Sequence, residues 1–417
     1  MTLYHVHDLQ QTSNESDNDY TVAAPYQLPE HWIRYQRSAI FNELVEAKAT
    51  IKALKTTPYQ KDWVDKLQEL QLKMEAAGTS RIEGAYFTER ELEISLSSSE
   101  PADLTRSQRQ VKAAANTYRW IADLPDDRPI NGDLILEVHR RMVTGCDDDH
   151  CEPGKLRRRD DNVIFGIPPH RGCEGGAECE RAFSQLAGAT QGSYQQHDPL
   201  IQAMAVHYHF AAMHPFQDGN GRTARALEAL VLQRAGLRDT AFIAMSNYYY
   251  QEKPAYLQAL GDVRAGRHDL TPFLQFALRG VAEQCGRLLS EIKLSVQKAV
   301  FRNTMYDLLG RLESPRKRVV AQRQLTILKI LLEAGPLETS ELMRLLADTD
   351  SYAGLKFKLR ALTRDLWGLL QLRTIRSTQI GPEAHLWDIR LEWPTEINED
   401  EFLMKYRKKP KAKTSFF

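Results

Sequence analysis

From Pro29 to about Ser99, apolar residues return every three or four positions: Ile40, Leu44, Ala47, Ile51 and Leu54, then Trp63, Leu67, Leu70 and Met74. The spacing predicts two antiparallel helices joined around Thr56-Thr57-Pro58. The same period runs from about Leu104 to Ile121 and from Asn131 to Val143, where Asn131 and Asp133 are caps ahead of Leu134, Leu136 and Val138. Residues 145 to 195 lose it. Gly, Pro, Asp and Cys stand there at turn-like density, and only Val163-Ile164-Phe165 reads as a strand. Helical spacing resumes from Pro199 to Ala212, from Arg222 to Ala235, and from Tyr256 through Ser295, with no strand alternation beside it.

Past a charged joint from Ser314 to Val320 the texture changes. Two short helical patterns, Gln324 to Ala334 and Ser340 to Leu346, precede a longer one from Leu355 to Leu370. Two apolar alternations, Leu372 to Ile375 and Leu386 to Leu391, follow around Gly381-Pro382. Three helices and a hairpin form the winged-helix pattern. The expected layout is a mobile polar tail over 1–26, an N-terminal helical region over 27–110, a core over 111–295 and a connecting helix over 296–320. A winged-helix-like domain over 321–395 and a basic tail over 396–417 complete it. The first segment is too poor in apolar side chains to offset its ordering entropy.

Composition narrows the class. The 417 residues are 42% hydrophobic and 26% charged, which excludes fibrous and wholly disordered chains. Lys plus Arg number 55 and Asp plus Glu 55, so no net field draws the whole molecule to nucleic acid or membrane. No leader or membrane-spanning run is legible, and the chain is expected to be cytoplasmic, without membrane contact. Five cysteines, an odd count, point to reduced thiols.

One segment carries chemistry: His214-Pro215-Phe216-Gln217-Asp218-Gly219-Asn220-Gly221-Arg222-Thr223-Ala224-Arg225. Gly219 and Gly221 around Asn220 let successive N–H groups turn toward one point, an anion nest to which the following helix adds its N-terminal dipole. Arg222 and Arg225 are three apart, so both guanidinium groups reach phosphate oxygens. Asp218 offers a hard oxygen suited to Mg²⁺, and His214 titrates near neutrality and can take a proton from a hydroxyl. The set is what nucleotidyl or phosphoryl transfer requires. No P-loop competes for the phosphate.

These residues resemble the Fic-domain signature H-x-F-x-[D/E]-G-N-G-R-x-x-R at every specified position. The resemblance, over roughly residues 30 to 295, implies an all-α fold, a helical bundle with a β-hairpin flap, and transfer of AMP from ATP to a hydroxyl side chain of a target protein. By it His214 is the base, Asp218 holds Mg²⁺, and Gly219, Asn220, Gly221 and Arg222 hold the α- and β-phosphates. Thr223 and Ala224 complete that binding turn, Arg225 meets the γ-phosphate, and Phe216 is structural.

The flap falls on Val163, Ile164, Phe165 and Gly166, where a target pairs by strand addition. Tyr256 and Leu257 fall where the adenine pocket is lined, with base stacking expected on Tyr256, and Arg264 within reach of the nucleotide. Thr79-Ser80-Arg81-Ile82-Glu83-Gly84 matches the family's inhibitory pattern [S/T]-x-x-x-E-[G/N], which implies that Glu83 pairs with Arg225 in the γ-phosphate's place.

The main reading is therefore a protein adenylyltransferase braked by its own Glu83, with self-modification and homodimerisation open. The alternatives are a nucleotide-sensing DNA-binding regulator and a hydrolase removing AMP through the same site. Weaker signals are a zinc site at Cys146, Cys151, Cys173 and Cys179 with His150 and His170, and DNA or protein contact through Lys356, Lys358, Arg360 and Arg364.

Overall fold

The computed structural model describes residues 4–5, 24–57, 61–97, 104–159, 163–166, 170–237, 243–311, 315–381, 384–398, 400 and 402–404. The chain divides into two units, Met1–Leu289 and Ser290–Phe417.

In the first unit β1 (Tyr4–His5) comes first, followed by α1 (Phe41–Thr56), α2 (Lys61–Ile82), α3 (Glu89–Ser97), α4 (Arg106–Ala122) and α5 (Gly132–Val143). Then β2 (Val163–Phe165) and β3 (His170–Arg171) form a hairpin, and α6 (Ala177–Ala189), α7 (Pro199–Met213), α8 (Asn220–Leu232), α9 (Met245–Gln251), α10 (Lys253–Ala265) and α11 (Thr271–Gly310) follow. Local chemistry sets the helix starts. Thr105 and Gln108 form a reciprocal capping box on α4, the Asn131 side chain accepts from Leu134 N–H on α5, and Asp198 with Pro199 opens α7.

Helix α7 is the pivot of this unit. Leu200 through Met213 are buried on nearly every side, so this helix has no solvent face and is held by neighbours all round. It packs on α8, while α2 packs on both α4 and α9. Helix α2, which leads into Glu83, and the loop between α7 and α8 are thus set by the same core.

Two features differ from the periodicity reading. The N-terminal region holds a third helix, α3, whose Leu92 and Ser95 are buried, where only two helices were expected. Helix α6 lies inside the stretch read as loop: Cys179, Ala182, Phe183 and Leu186 follow helical spacing, but the surrounding glycines and cysteines obscure it. Within the expected tail, β1 pairs antiparallel with the hairpin, Tyr4 opposite Ile164 and His5 opposite Val163, and Tyr26 is buried against His209. Residues 6–23 and the basic run from Lys405 lie outside the described residues.

The second unit holds the part of α11 from Ser290 on, then α12 (Pro315–Ala334), β4 (Leu337–Glu338), α13 (Thr339–Leu346), α14 (Lys358–Gln371), β5 (Ile375–Gln379), β6 (His385–Ile389) and α15 (Trp393–Glu396). Its antiparallel sheet has the order β4-β6-β5, with Ile375 opposite Ile389 and Gln379 opposite His385. Strand β5 starts only at Ile375, because Leu372 caps α14 in helical geometry and Arg373 takes a φ of 59°. Leu328, Leu331, Leu342, Leu362, Leu366 and Trp387 are among its core. A fully buried Asp365 accepts from Arg323 Nε at 2.6 Å, Arg323 Nη2 at 3.0 Å and Tyr352 Oη at 2.9 Å, so its charge is compensated inside that core. Among the described residues no helix is long and apolar enough to cross a membrane.

Candidate active site

His214 ends α7 in the left-handed region, φ 54°. The turn swings the next residues across the α7 end, where Asn220 closes them into a loop: its Oδ1 accepts from Phe216 N–H at 2.9 Å and its Nδ2 donates to Phe216 C=O at 2.8 Å. Phe216 is fully buried, with its ring stacked on His139 at 3.6 Å. His139 accepts from Gly154 N–H at 2.9 Å through Nδ1, which leaves Nε2–H to donate to Asp218 C=O at 3.0 Å. Burial first lowers the His139 pKa, to about 4. The loop is a rigid piece of core rather than a surface excursion.

The expected nest is narrower than the sequence suggested. Only Gly219 takes positive φ, 76°, as the cap of α8, and the helix begins at Asn220, two residues earlier than expected. Gly221 is helical, and a Cβ there would collide with Glu83 Oε1. Its bareness keeps the mouth of the site open. Asn220 spends its side chain on Phe216, and Thr223 and Ala224 are buried on the core side of α8. The anion-facing groups are therefore the first turn of α8, Arg222 and Arg225.

Arg225 Nη2 donates to Glu83 Oε1 at 2.7 Å and to Thr79 C=O at 3.2 Å, and its Nε donates to Thr79 Oγ1 at 2.8 Å. Burial opposes the charge on Glu83, yet Arg225 and then Arg222 outweigh it and hold its pKa below the usual carboxylate value. Lys253 Nζ donates to Ile82 C=O at 2.8 Å, which fixes the C-terminal end of α2 where Glu83 emerges. Deeper in α2, Glu75 accepts from Ser246 N–H at 2.6 Å and from the Ser246 hydroxyl.

His214 is neutral. Burial first, then the nearby Arg157 charge, push its pKa down to about 3. Its Nδ1 lies 3.4 Å from Ala211 C=O, which assigns the proton to Nδ1 and the lone pair to Nε2. Arg157, itself buried, donates from Nε to His214 C=O at 2.7 Å and from Nη2 to Cys173 C=O at 2.6 Å. From the β2–β3 hairpin Phe165 lies over the imidazole, ring centroids 4.0 Å apart and planes 27° from parallel. Ile164 pairs with Arg171 and Phe165 with His170. Val163 is buried, whereas Ile164, Phe165 and Gly166 are half-buried.

Tyr256 is not an open stacking platform. It is buried, stacked on Tyr249 at 4.6 Å, and its hydroxyl lies 2.9 Å from His207 Nε2. The reason is the aromatic cluster of Tyr249, Phe273 and Phe276, which claims both faces of that helix turn. Leu257 is half-buried, and Arg264 Nη1 has no hydrogen-bond partner among the described residues. The zinc expectation fails as well, since no group of three or more His, Cys, Asp or Glu among the described residues could hold a metal. All five cysteines are free and buried: Cys146 points at the α5 carbonyls, and Cys179 at Pro215 C=O.

His139, Arg106 and Asp147 were not singled out as site residues from the sequence, and Arg157 and Thr79 were named only as parts of longer patterns. Asp218 Oδ1 lies 3.4 Å from Arg222 Nη2 and accepts from Gly219 N–H at 2.6 Å, and its Oδ2 lies 3.9 Å from Arg106 Nη2. Asp147 accepts from both arginines.

Over 144 residues the chain is 33% identical to Protein adenylyltransferase Fic of Culex quinquefasciatus, covering 34% of this chain and 26% of that protein. Over 170 residues it is 29% identical to Protein adenylyltransferase fic-1 of Caenorhabditis briggsae, covering 40% of this chain and 30% of that one. The match thus spans only about a quarter to a third of the length of these relatives. In fold it is similar to a Fic family protein from Desulfovibrio desulfuricans, with TM-score 0.53 and 19% identity over 88% of this chain and 97% of that one. It is also similar to Fic-1 from Caenorhabditis elegans, with TM-score 0.52 and 20% identity over 62% and 74%. Residues 129–232 match the model of the Fic/DOC family, and over that stretch, which holds α5, the hairpin, α7 and α8, the chain carries a Fic domain.

Proposed function

We propose that this site transfers AMP from ATP to a hydroxyl group of a protein. The observation that carries the reading is a neutral imidazole, its Nε2 without a hydrogen bond among the described residues, at one end of a locked loop whose other end is a helix N-terminus bearing Arg222 and Arg225. A target hydroxyl delivers its proton to His214 Nε2 while its oxygen forms a bond to the α-phosphorus. The bond from that phosphorus to the bridging oxygen breaks, and pyrophosphate leaves. Arg222 and the α8 amides hold the charge that builds on the departing phosphates. Asp218 fits a Mg²⁺ bound with the nucleotide: one hard carboxylate, partly exposed, beside the phosphate-facing turn. The metal would supply charge neutralisation on the phosphate oxygens. Phe165 and the hairpin would have to release the imidazole as the target's strand arrives.

Glu83 is the brake in this reading. Its carboxylate takes a donor of Arg225 that the γ-phosphate would use, and a charge-assisted bond of this kind contributes roughly 1.5–3 kcal/mol. Removing it releases that donor of Arg225, while the bonds from Arg225 to Thr79 remain. We read the second unit as a winged-helix module, from the order α12, α13, α14 and then the β5–β6 hairpin.

Intact-mass spectrometry after incubation with ATP and Mg²⁺, with candidate acceptor proteins present, tests the proposal. Glu83→Gly is expected to raise AMP incorporation on itself or on an acceptor by about tenfold or more, in line with the energy of the lost pair. His214→Ala in the Glu83→Gly chain is expected to abolish it. Labelling that survives His214→Ala would overturn the assignment of the base.

A further inference from the structure

Asp147 is one of three consecutive aspartates in a stretch that reads as loop. Asp148 and Asp149 are exposed, but the Asp147 side chain is completely buried. Its Oδ1 accepts from Arg106 Nε at 3.0 Å, Arg106 Nη2 at 2.6 Å and Gln110 Nε2 at 2.8 Å, and its Oδ2 accepts from Arg222 Nη1. Burial opposes its ionisation, yet Arg222 first, then Arg106 and Gln110, keep the pKa below the usual carboxylate range. Asp218 contacts the same two arginines from the other side at 3.4 and 3.9 Å. Two carboxylates and two guanidinium groups alternate around a closed ring.

The two halves of that ring are not equivalent. The Asp147 contacts are short, and its carboxylate is fully buried. Those of Asp218 are long, and its side chain is 19% exposed, on the side where a nucleotide and its metal would arrive. A metal on Asp218 would take that carboxylate away from both arginines. Arg222 is only 1% exposed and its Nε has no hydrogen-bond partner among the described residues, so its guanidinium has one unspent donor and a single buried anchor.

We propose that Asp147 is a positioning residue for the nucleotide: it holds Arg222, with Arg106 beside it, on the phosphate site once Asp218 is committed to the metal. Arg106 is thereby a third cation for the polyphosphate. Its side chain is 46% exposed and reaches both carboxylates. The inference rests on the AMP-transfer reading above. A carboxylate that only stabilised the fold would lower the unfolding temperature and leave ATP affinity unchanged. One that acts through Arg222 loses its effect when Arg222 is gone.

The test uses the full-length Glu83→Gly chain, with ATP affinity measured by calorimetry in Mg²⁺ and thermal unfolding recorded beside it. Asp147→Asn is expected to weaken ATP by about tenfold, because an unanchored guanidinium must be ordered by the phosphate itself. In an Arg222→Gln background the same change is expected to cost less than about twofold. Should Asp147→Asn melt at room temperature, Arg106→Gln takes its place, since that side chain is half-exposed and Arg222 and Gln110 still pair the buried carboxylate; a several-fold loss of ATP affinity is expected there. Equal losses with and without Arg222, or no loss in either variant, overturn the proposal while leaving the transfer reading intact. A Glu83→Gly parent that binds no ATP overturns both.

Discussion

His214 is held neutral by its surroundings, and Phe165 is a large part of those surroundings. A half-buried imidazole whose pKa desolvation pushes down to about 3 is deprotonated throughout the physiological range, so it is always ready to accept a proton but is a weak base while covered. Phe165→Ala should expose the ring and move its titration from about 3 toward the ordinary 6.5, read from the pH dependence of the His214 ring resonance by NMR. A titration that stays put would mean that Arg157 and the loop, not the flap, set the value. The stability consequence has a definite sign. Because the folded-state pKa is depressed, the contribution of His214 is full above the unfolded value of 6.5 and is lost as pH falls through about 3. Glu75 runs the other way: burial raises its pKa to about 8, so its contribution is full below the ordinary 4.5 and lost as pH rises through about 8.

At the scale of elements, the candidate brake is a property of α2 as a whole. Glu83 projects from its end, and what fixes that end is the seat of α2 on α9 one to two turns earlier. Gly78 makes the seat possible, since a Cβ there would lie 2.5 Å from Ser246 C and Asn247 N, both backbone atoms that cannot step aside. Gly78→Ala is therefore expected to destabilise the first unit by about 1–3 kcal/mol through overpacking. It is also expected to lift α2 and raise AMP incorporation toward that of Glu83→Gly. Urea unfolding and intact-mass labelling read the two effects. A destabilised variant whose labelling stays at the wild-type level would separate the helix seat from the brake.

At the scale of the whole molecule, neutrality is a sum of two unequal parts. Ser290–Phe417 holds 23 Lys and Arg against 16 Asp and Glu, and Met1–Leu289 holds 32 against 39. The even total hides a separation of charge that the undivided sequence does not display. The site residues from Thr79 to Arg225 all lie in the first unit. ATP with Mg²⁺ is accordingly expected to raise the thermal transition of that unit in the Glu83→Gly chain by mass action, with the transition of the second unit unmoved in differential scanning calorimetry. A shift of both by the same amount would make the chain one cooperative body.

Helices with a clear one-sided stripe, such as α5, were legible along the chain, as were the twelve residues from His214 to Arg225, because histidine, glycine and arginine in that order leave few other uses. So was Glu83, through a pattern tied to helix α2. The remainder depended on contacts between distant parts of the chain. Asp147, Arg106 and Arg157 have no local signature, since a charge acquires meaning from the partner that neutralises it, and those partners are 41 to 75 positions away. Tyr256 shows the converse: a tyrosine in the expected place is pulled into the core because Tyr249 and Phe273, brought up by other helices, offer it a better partner than solvent would. Local pattern fixes which residues can do chemistry, but burial and pairing fix which of them are left free to do it.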